Sequence, residues 1–481
     1  MAQAPGNNSD RWSWHLWSTM AGPVAAAAVF LATRRSGLPQ AQSWTVAVTT
    51  LCALWWLFES LPLAVTSLVP LAIFPLTGVL SEREAAAAYG DPIVLLFMGG
   101  FMLSKAAERW GAHRRIAHAM MAGLGVRTGR RIVLAFMLAT ALVSMWISNT
   151  ATALMMLPVA LAVIERDTSR KLAVPLLLGV AYSASIGGIV TPIGTPPNGV
   201  FIAHYRNATG MTVPFPQWMM LAGLVALAML PAAWLVLTWR LRGVEAVDLQ
   251  SDECWTAPQK RTLVVFGLAA LAWTTRELPW GGWSSLLPTT EAGDTTVAIA
   301  AAIALFLIPS GASDSGRLLD WSTAVRIPWG VLILFGGGIA IATAFETSGL
   351  SKTIGENVRG IQDLFLPVLI AALCVTVAFL SEFTSNTATS NVLMPVLAAA
   401  AIANGMEPAL LMVPATLSNS LAFMMPVGTP PNAIAFGSGH VRIRDMVRAG
   451  FMLNLIGAAL VTLVCWLLLP ALFGVSLAND M

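Results

Sequence analysis

Residues 148–152 read Ser-Asn-Thr-Ala-Thr, and residues 385–389 read the same five letters 237 positions further along the chain. Each copy is followed by the string Gly-Thr-Pro-Pro-Asn, at 194–198 and at 428–432. Two small polar strings, repeated in one order within an apolar chain, indicate two duplicated halves with interrupted helices. This pattern is typical of the binding site of a secondary transporter.

The composition is that of a membrane protein. Of the 481 residues, 57% are hydrophobic and only 11% are charged, whereas soluble domains carry about 25% charged residues. The net charge of +3 gives no argument for a nucleic-acid partner. Four scattered cysteines without CxxC spacing argue against a metal or disulfide framework. We therefore expect one multi-pass domain over 1–481 in a lipid bilayer, with a bacterial plasma (inner) membrane as its location.

Apolar segments of roughly 20 residues are long enough to cross a bilayer. The predicted spans are 13–33, 43–60, 61–80, 130–164, 172–190, 217–239, 262–278, 295–309, 363–384, 388–403, 408–425 and 446–473. The first span is expected to remain uncleaved.

The halves of the repeat are predicted at 43–240 and 262–473, joined by a polar loop at 241–261. Six arginines and no acidic residues between 109 and 131 place that segment on the cytoplasmic side. The repeat is inverted if the two halves begin from opposite faces of the membrane.

Two glycine-rich apolar segments belong to the repeat as well. Residues 92–111 and 328–349 align with an offset of 238, which pairs Phe97 with Phe335 and Glu108 with Glu346. The glycines of these two segments are compatible with a role in a binding site and equally with close helix packing in lipid.

The first polar string interrupts an apolar segment that could otherwise form one helix over 130–164. Serine and asparagine compete for backbone hydrogen bonds and favour helix ends. A break is therefore predicted, with Ser148 or Asn149 capping the second half-helix. Unpaired backbone groups inside a membrane are tolerated where they line a cavity. The new helix N-terminus favours an anion there, and the carbonyls freed at the break favour a cation.

The Gly-Thr-Pro-Pro-Asn strings supply related chemistry. Two prolines end a helix and remove two N–H donors, so nearby carbonyl oxygens are free to face an ion. Hydroxyl and amide side chains can serve a carboxylate or Na⁺. Taken singly, each string has a simpler interpretation as a helix contact or a kink. Their ordered duplication favours a binding site.

The duplicated strings resemble those of the divalent anion–sodium symporter family, the di- and tricarboxylate transporters. The likeness extends from near residue 43 to the last apolar segment. It implies an all-α polytopic membrane protein with two repeated halves, broken transmembrane helices and re-entrant hairpins. The hairpins are expected around 92–124 and 328–362, with tips that approach the Ser-Asn-Thr breaks. The resemblance also implies a homodimer whose transport domain moves like an elevator against a fixed scaffold.

By position, the resemblance implies a set of residues for a small dianionic substrate: Ser148, Asn149, Thr150, Thr195, Pro196, Ser385, Asn386, Thr387, Thr429 and Pro430. It implies two or more Na⁺ sites, two of which can be assigned residues, and no organic cofactor. The sodium residues are Ser144, Ser148, Asn149 and the Gly194 backbone for one ion, and Ser381, Thr384, Asn386 and the Gly428 backbone for the other. Asn198 and Asn432 are expected to support these groups.

Ionisable residues in apolar segments are candidates for function because lipid disfavours them. They are Glu59, Lys105, Glu108, Glu165, Glu346 and Glu382. Glu382 is expected either to extend to the membrane boundary or to contribute to ion coupling. Lys105 and Glu108 have the spacing of a helical ion pair. Glu108 and Glu346 are expected at the membrane interface, away from the substrate.

Charge arithmetic defines the expected mechanism. An inside-negative potential opposes uptake of a dianion by about 2.3 kcal/mol per charge per 100 mV. Uptake of succinate-like C4-dicarboxylates therefore needs more than two Na⁺, or exchange for another dianion. The sequence predicts the Na⁺-coupled transporter and leaves open a Na⁺-independent exchanger, or sulfate or citrate as the substrate.

Other function classes have little support in the sequence. The HExxH and GxSxG motifs of common hydrolases are absent, and His113, His118 and His204 are expected to be solvated near loops. We therefore expect that the protein is not an enzyme. A channel would need a continuous polar face along several helices, whereas the polar residues concentrate at two points.

Overall fold

The computed structural model describes residues 8–112, 115–116, 128–167, 171–241, 255–277, 282–286, 292–312, 316–357 and 365–474. This part of the chain is almost entirely helical, which confirms the predicted fold class. Within it, five helical stretches are long and apolar enough to cross a membrane: Glu82–Arg109, Phe215–Thr238, Trp329–Thr347, Asn386–Ala403 and Ile443–Leu472.

The helices of the first half are α1 (Asn8–Arg35), α2 (Gln40–Leu57), α3 (Leu63–Thr66), α4 (Val69–Thr77), α5 (Glu82–Tyr89), α6 (Pro92–Arg109), α7 (Gly129–Ser144), α8 (Asn149–Glu165), α9 (Ala173–Gly188), α10 (Pro196–Thr209) and α11 (Phe215–Thr238). Those of the second half are α12 (Ala257–Thr275), α13 (Asp294–Leu307), α14 (Trp321–Ala324), α15 (Trp329–Thr347), α16 (Leu350–Asn357), α17 (Leu366–Leu380), α18 (Asn386–Ala403), α19 (Ala409–Asn419), α20 (Pro430–Gly437) and α21 (Ile443–Leu472).

The segment 61–80 does not form the single predicted span. It folds into the two short helices α3 and α4, and Pro70 lies in the first turn of α4. Because proline has no N–H to donate to the carbonyl four residues earlier, a continuous helix would lose a hydrogen bond at this point. The polar loop predicted at 241–261 lies mostly outside the described residues, and α12 begins within it at Ala257.

The first Ser-Asn-Thr string lies at the tip of a helical hairpin. Met137 of α7 packs against Gly179 of α9, and the Ser144 hydroxyl further along α7 donates to the carbonyl of Ala184 further along α9 at 2.7 Å. These contacts advance in the same direction on both helices, so α7 and α9 run parallel. The intervening helix α8 must therefore return to the starting side, with residues 145–148 as the turn.

The second string occupies the same place in the second half. Along α17 and α19, the Cys374 thiol lies 4.0 Å from the carbonyl of Pro414. Between them, α18 starts beside the end of α19, where the Asn419 amide donates to the carbonyl of Asn386 at 2.5 Å. Thus α18 runs back along α19, and residues 381–385 form the tip of a second hairpin.

The expected hairpins around 92–124 and 328–362 lie only partly within the described residues. Helices α6 and α15 are uninterrupted, and each is followed by a left-handed glycine, Gly111 (φ +64°) and Gly349 (φ +74°). Residues 113–114, 117–127 and 358–364 of the two predicted hairpins lie outside the described residues.

The glycines of α6 and α15 serve close packing between elements of different halves. A Cβ on Gly99 would lie 2.8 Å from the backbone of Ala298 in α13, and one on Gly337 would lie 2.5 Å from the carbonyl oxygen of Ser67. Small residues let helix backbones approach in this way in membranes. The packing interpretation of these glycines is thus the one that the structure supports.

Helices α6 and α15 cross at repeat-related positions. The rings of Phe97 and Phe335 meet edge to face with centroids 4.7 Å apart. At the C-terminal end of α6, Arg109 pairs with Asp320, the N-cap residue of α14, which is the short helix that precedes α15.

At the other end of the pair, Asp91 caps the start of α6 and forms an ion pair with Arg206. The neighbouring Asn207 lines a small cavity together with Glu346, near the end of α15. The two helices therefore run antiparallel, because the start of each lies near the end of the other.

Contacts between the halves are reciprocal. Helix α10 of the first half packs on α18 and α19 of the second, and α20 of the second half packs on α8 and α9 of the first. Helix α11 packs on its counterpart α21. This exchange brings the two hairpin tips and the two Gly-Thr-Pro-Pro-Asn segments to one place.

The close approach at Gly337 generates a stability prediction. Gly337→Ala should destabilise the protein by about 1–3 kcal/mol, because the added methyl overlaps the backbone of Ser67. Gly267→Ala in α12 is the control, since a Cβ there meets no atom within 4 Å. The measurement is the thermal unfolding midpoint in detergent. Equal midpoints for the two variants would contradict this close packing.

Candidate functional site

One cavity of about 830 Å³ collects the duplicated strings of both halves. All ten residues predicted to bind substrate line it: Ser148, Asn149, Thr150, Thr195, Pro196, Ser385, Asn386, Thr387, Thr429 and Pro430. Repeat-related residues that are 234 or 237 positions apart in sequence thus share one surface.

Four helix N-termini point into this cavity. Helices α8, α10, α18 and α20 all begin at its wall, with Ser148, Thr195, Ser385 and Thr429 as their N-cap residues. The Ser148 hydroxyl accepts from the N–H of Ala151 at 3.3 Å, which satisfies one donor of the first turn of α8. At α8 and α18 the remaining free N–H groups of the first turn favour an anion, as does the partial positive charge of the helix start. At α10 and α20 the first two residues are prolines without an N–H, so the partial positive charge alone contributes.

The first predicted sodium set is rich in oxygen atoms. The Ser144 hydroxyl lies 2.8 Å from Oδ1 of Asn149. The backbone at Gly194 passes so close to the carbonyls of Met145 and Gly188 that a Cβ would lie 2.9 Å from the former and 2.5 Å from the latter. Hydroxyl, amide and carbonyl oxygens are hard ligands that suit Na⁺. The residues present therefore fit a sodium ion.

The asparagine that ends each Gly-Thr-Pro-Pro-Asn string forms hydrogen bonds with the backbone of the non-helical segment before it. The Asn198 amide donates to the carbonyls of Gly188 at 3.1 Å and Thr191 at 2.8 Å. The Asn432 amide donates to the carbonyls of Ala422 and Met425, both at 3.1 Å. The two sets match position by position in the repeat, so both asparagines hold the backbone that surrounds the predicted ions.

The second predicted sodium set is less compact. Only Asn386 and Gly428 of this set line the cavity. The Ser381 hydroxyl donates to the carbonyl of Ala378 at 2.8 Å, and the Thr384 hydroxyl lies 2.7 Å from that of Thr389. Both side chains are buried behind the tip. Oδ1 of Asn386 has no hydrogen-bond partner among the described residues, so this oxygen is available to a ligand.

Glu382 does not extend to the membrane boundary. It is 1% exposed, and its carboxylate accepts from the N–H groups of Phe423, Met424 and Met425 at 2.7–3.0 Å. The Asn454 amide of α21 also donates to it at 2.6 Å. A buried carboxylate is stable when several donors satisfy it, and this one anchors the segment between α19 and Gly428.

Four charged residues on the cavity wall were not included in the predicted site. They are Glu59, Lys105, Glu108 and Arg326. Glu108 lines the same cavity as the residues predicted to bind substrate. Its carboxylate lies 2.6 Å from Nζ of Lys105, as the spacing predicts. Glu59 has a φ of 47°, a left-handed conformation that is uncommon for residues other than glycine. The sequence marks Glu59, Lys105 and Glu108 as ionisable residues in apolar segments, but no motif places them or Arg326 at the cavity.

His204 is a further correction. It is 2% exposed within α10 and lies next to Gly338 of α15, in contrast to the expected solvation near a loop. His113 and His118 lie outside the described residues. The part of the chain that the structure describes contains no group of three His, Cys, Asp or Glu side chains arranged for a metal ion.

An apolar helical bundle whose hairpin tips and interrupted helices meet in one polar cavity defines a class of protein, the membrane transporters. The chain belongs to the sodium:sulfate symporter family: the model of that family, described as the sodium:sulfate symporter transmembrane region, matches residues 13–475. This match confirms the family that the duplicated strings indicated and the assignment as a multi-pass integral membrane protein.

Curated relatives are similar along almost the whole chain. A protein of Staphylococcus saprophyticus named sodium-dependent dicarboxylate transporter SdcS is 36% identical, over 96% of this chain and 92% of its own. A protein of the same name from Staphylococcus aureus is 36% identical over 95% of this chain and 91% of its own. These bacterial relatives agree with location in a bacterial plasma membrane.

A solved structure shares the fold. The Alcanivorax borkumensis YdaH transporter, whose topology is described as unusual, superposes with a TM-score of 0.54 at 14% identity. The superposition covers 84% of this chain and 88% of its own. At this identity the comparison supports the fold alone.

The hydrogen bonds of Glu382 predict the effect of a conservative change. Glu382→Gln should destabilise the protein by about 1–3 kcal/mol, because the amide nitrogen of glutamine would face backbone N–H donors and leave them unsatisfied. Glu165→Gln is the control, since Glu165 is exposed at the end of α8. The measurement is the thermal unfolding midpoint in detergent. An unchanged midpoint for Glu382→Gln would mean that the carboxylate does not anchor this segment.

Proposed function

We propose that this protein is a secondary active transporter that carries C4-dicarboxylates, such as succinate, together with Na⁺. The observation that supports this most is the convergence of four helix N-termini and an oxygen-rich cation set on one cavity. The names of the curated relatives, sodium-dependent dicarboxylate transporters, support the same substrate and ion.

The chemistry of the cavity suits a dianion with two separated carboxylates. Each hairpin tip offers a serine, an asparagine and a threonine, and all six side chains are partly exposed to the cavity. Neutral donors and helix N-termini can bind a carboxylate without a permanent charge partner. One carboxylate at each tip, with Thr195 and Thr429 between them, is the arrangement that we propose.

Sodium would stabilise the binding form of the tips. In the first half, Ser144 and Asn149 share a hydrogen bond, and an ion bound between them and the Gly194 backbone would fix the Asn149 amide. The ion would also offset the negative charge of the substrate. Each ligand therefore strengthens binding of the other, and linkage makes that effect reciprocal.

The proposed movement is alternating access of an elevator type between two inverted halves. The antiparallel course of α6 and α15 and the reciprocal contacts of α10 and α20 support an inverted relation. In this proposal the hairpins α7–α8 and α17–α18 move with the interrupted helices against a scaffold that includes α6 and α15. A homodimer is proposed from the family resemblance.

The proposed function predicts the outcome of an uptake experiment. Purified protein in proteoliposomes should accumulate labelled succinate when Na⁺ is inwardly directed, and an inside-negative potential should increase this uptake because more than two Na⁺ accompany each dianion. Vesicles preloaded with unlabelled succinate serve as the control. Uptake that needs preloading and ignores Na⁺ would identify an exchanger. Sulfate and citrate are tested in the same vesicles, and transport of either in place of succinate would overturn the substrate assignment.

The first sodium set predicts a separable effect on Na⁺. Ser144→Ala should raise the Na⁺ concentration for half-maximal uptake about tenfold, which corresponds to the loss of one oxygen ligand worth roughly 1.4 kcal/mol. Ser183→Ala is a matched control, because Ser183 is also a buried serine that bonds to a helix carbonyl, that of Gly179, outside the site. Equal Na⁺ dependence of the two variants would exclude Ser144 as a sodium ligand.

A further inference from the structure

Repeat-related residues line two separate cavities. Ser104 and Glu108 of α6 line the large cavity, whereas Ala342 and Glu346, their counterparts in α15, line a small cavity of about 10 Å³. Such a volume holds one water molecule at most. Since α6 and α15 run antiparallel, their C-terminal parts lie at opposite ends of the pair. The two cavities therefore lie at opposite ends of the pair, and we call them the large cavity and the small cavity.

The two cavities differ in their basic side chains. Lys105 of α6 lines the large cavity, and its repeat counterpart in α15 is Thr343, whose hydroxyl donates to the carbonyl of Ile339 at 2.9 Å. Arg326 and Glu59 add one further side chain of each sign to the large cavity. The described residues that line the small cavity include Glu346 and no lysine or arginine.

Lys105 lines the large cavity, and the carboxylate with which it pairs is partly exposed. Its Nζ lies 2.6 Å from Glu108, and the two side chains are 25% and 36% exposed. Exposed pairs of this kind are weak, typically under about 1 kcal/mol, so another anion can compete for the lysine. Arg109, by contrast, is paired with Asp320 outside the cavity lining.

We propose that Lys105 is a specificity-determining residue that receives the dianion in the large cavity, and that Glu108 competes with the dianion for it. The repeat-related position at the other end of the α6–α15 pair is Thr343, so a dianion that arrives from that end meets no such lysine. The protein therefore has a higher apparent affinity for the dianion on the membrane face nearer Lys105, the Lys105 face. This inference rests on the proposed transport of dicarboxylates and adds the side from which the anion is attracted.

Because Glu108 competes with the dianion for Lys105, substitutions of these two residues should shift the KM for succinate in opposite directions. Lys105→Thr copies the other half of the repeat and should raise the KM for succinate on the Lys105 face roughly fivefold, as expected for an exposed charge pair. Glu108→Gln frees the lysine and should lower that KM about twofold. Both effects should shrink at high ionic strength because salt screens exposed charges. Lys105→Arg should retain the wild-type KM.

The experiment measures Na⁺-driven uptake of labelled succinate in proteoliposomes. Selective labelling of one face of the protein determines which way it is inserted. KM is determined from each face for wild type, the three variants and Lys352→Thr, a control that removes an exposed lysine from α16 outside both cavities. We expect shifts of opposite sign for Lys105→Thr and Glu108→Gln on one face and a much smaller change on the other.

Several results would overturn the inference. If both variants lose affinity or stability together, the pair is structural, and if neither shifts KM, Lys105 does not meet the substrate. Equal KM shifts measured from both faces would contradict the proposed difference in affinity between the faces. If Lys105→Thr does not fold, the predicted decrease in KM for Glu108→Gln still tests the inference. Absence of succinate uptake by wild type would refute the proposed function instead.

Discussion

Backbone N–H and C=O groups that face the interior of a membrane must find partners, and the rest of this structure depends on that constraint. Four helices begin inside the bundle around one cavity. Their partial positive charges repel one another across the cavity until an anion lies between them. The carbonyls left free at the same breaks favour a cation. A site of this construction is completed by two ligands of opposite charge, which is the physical basis of coupled transport.

The breaks are fixed by residues of the same strings that create them. The side-chain amides of Asn198 and Asn432 each donate to carbonyls seven and ten residues earlier, so each string also stabilises the interrupted helix that it creates. The prolines of these strings prevent helix continuation, and the asparagine holds the resulting loop open. A rigid loop presents its oxygens without the entropy loss that a flexible loop would suffer on binding an ion.

The two halves share this geometry but differ behind the hairpin tips. Glu382 of the second half corresponds to Met145 of the first. In the first half, the Thr191 hydroxyl bonds to the carbonyl of Met145, and one neutral contact connects the tip to the broken helix. In the second half, a carboxylate makes that connection with several backbone N–H groups and Asn454. The two predicted sodium sites therefore lie in different electrostatic surroundings despite identical strings.

The duplicated strings were sufficient to predict the helix breaks, which follow from local chemistry, and with the family resemblance they named the ten residues that meet in the cavity. The direction of the chain after the first break could not be predicted in this way. Ser148 caps α8 equally well whether the helix continues across the membrane or folds back. Packing decides between them: Gly179 and Gly187 let α9 lie against α7, which leaves only the returning path for α8. The role of Glu382 could not be predicted from the local sequence either, since its hydrogen-bond partners lie 41–72 residues away along the chain. Local sequence therefore specifies where a membrane helix ends, whereas contacts between distant segments specify where the next one goes.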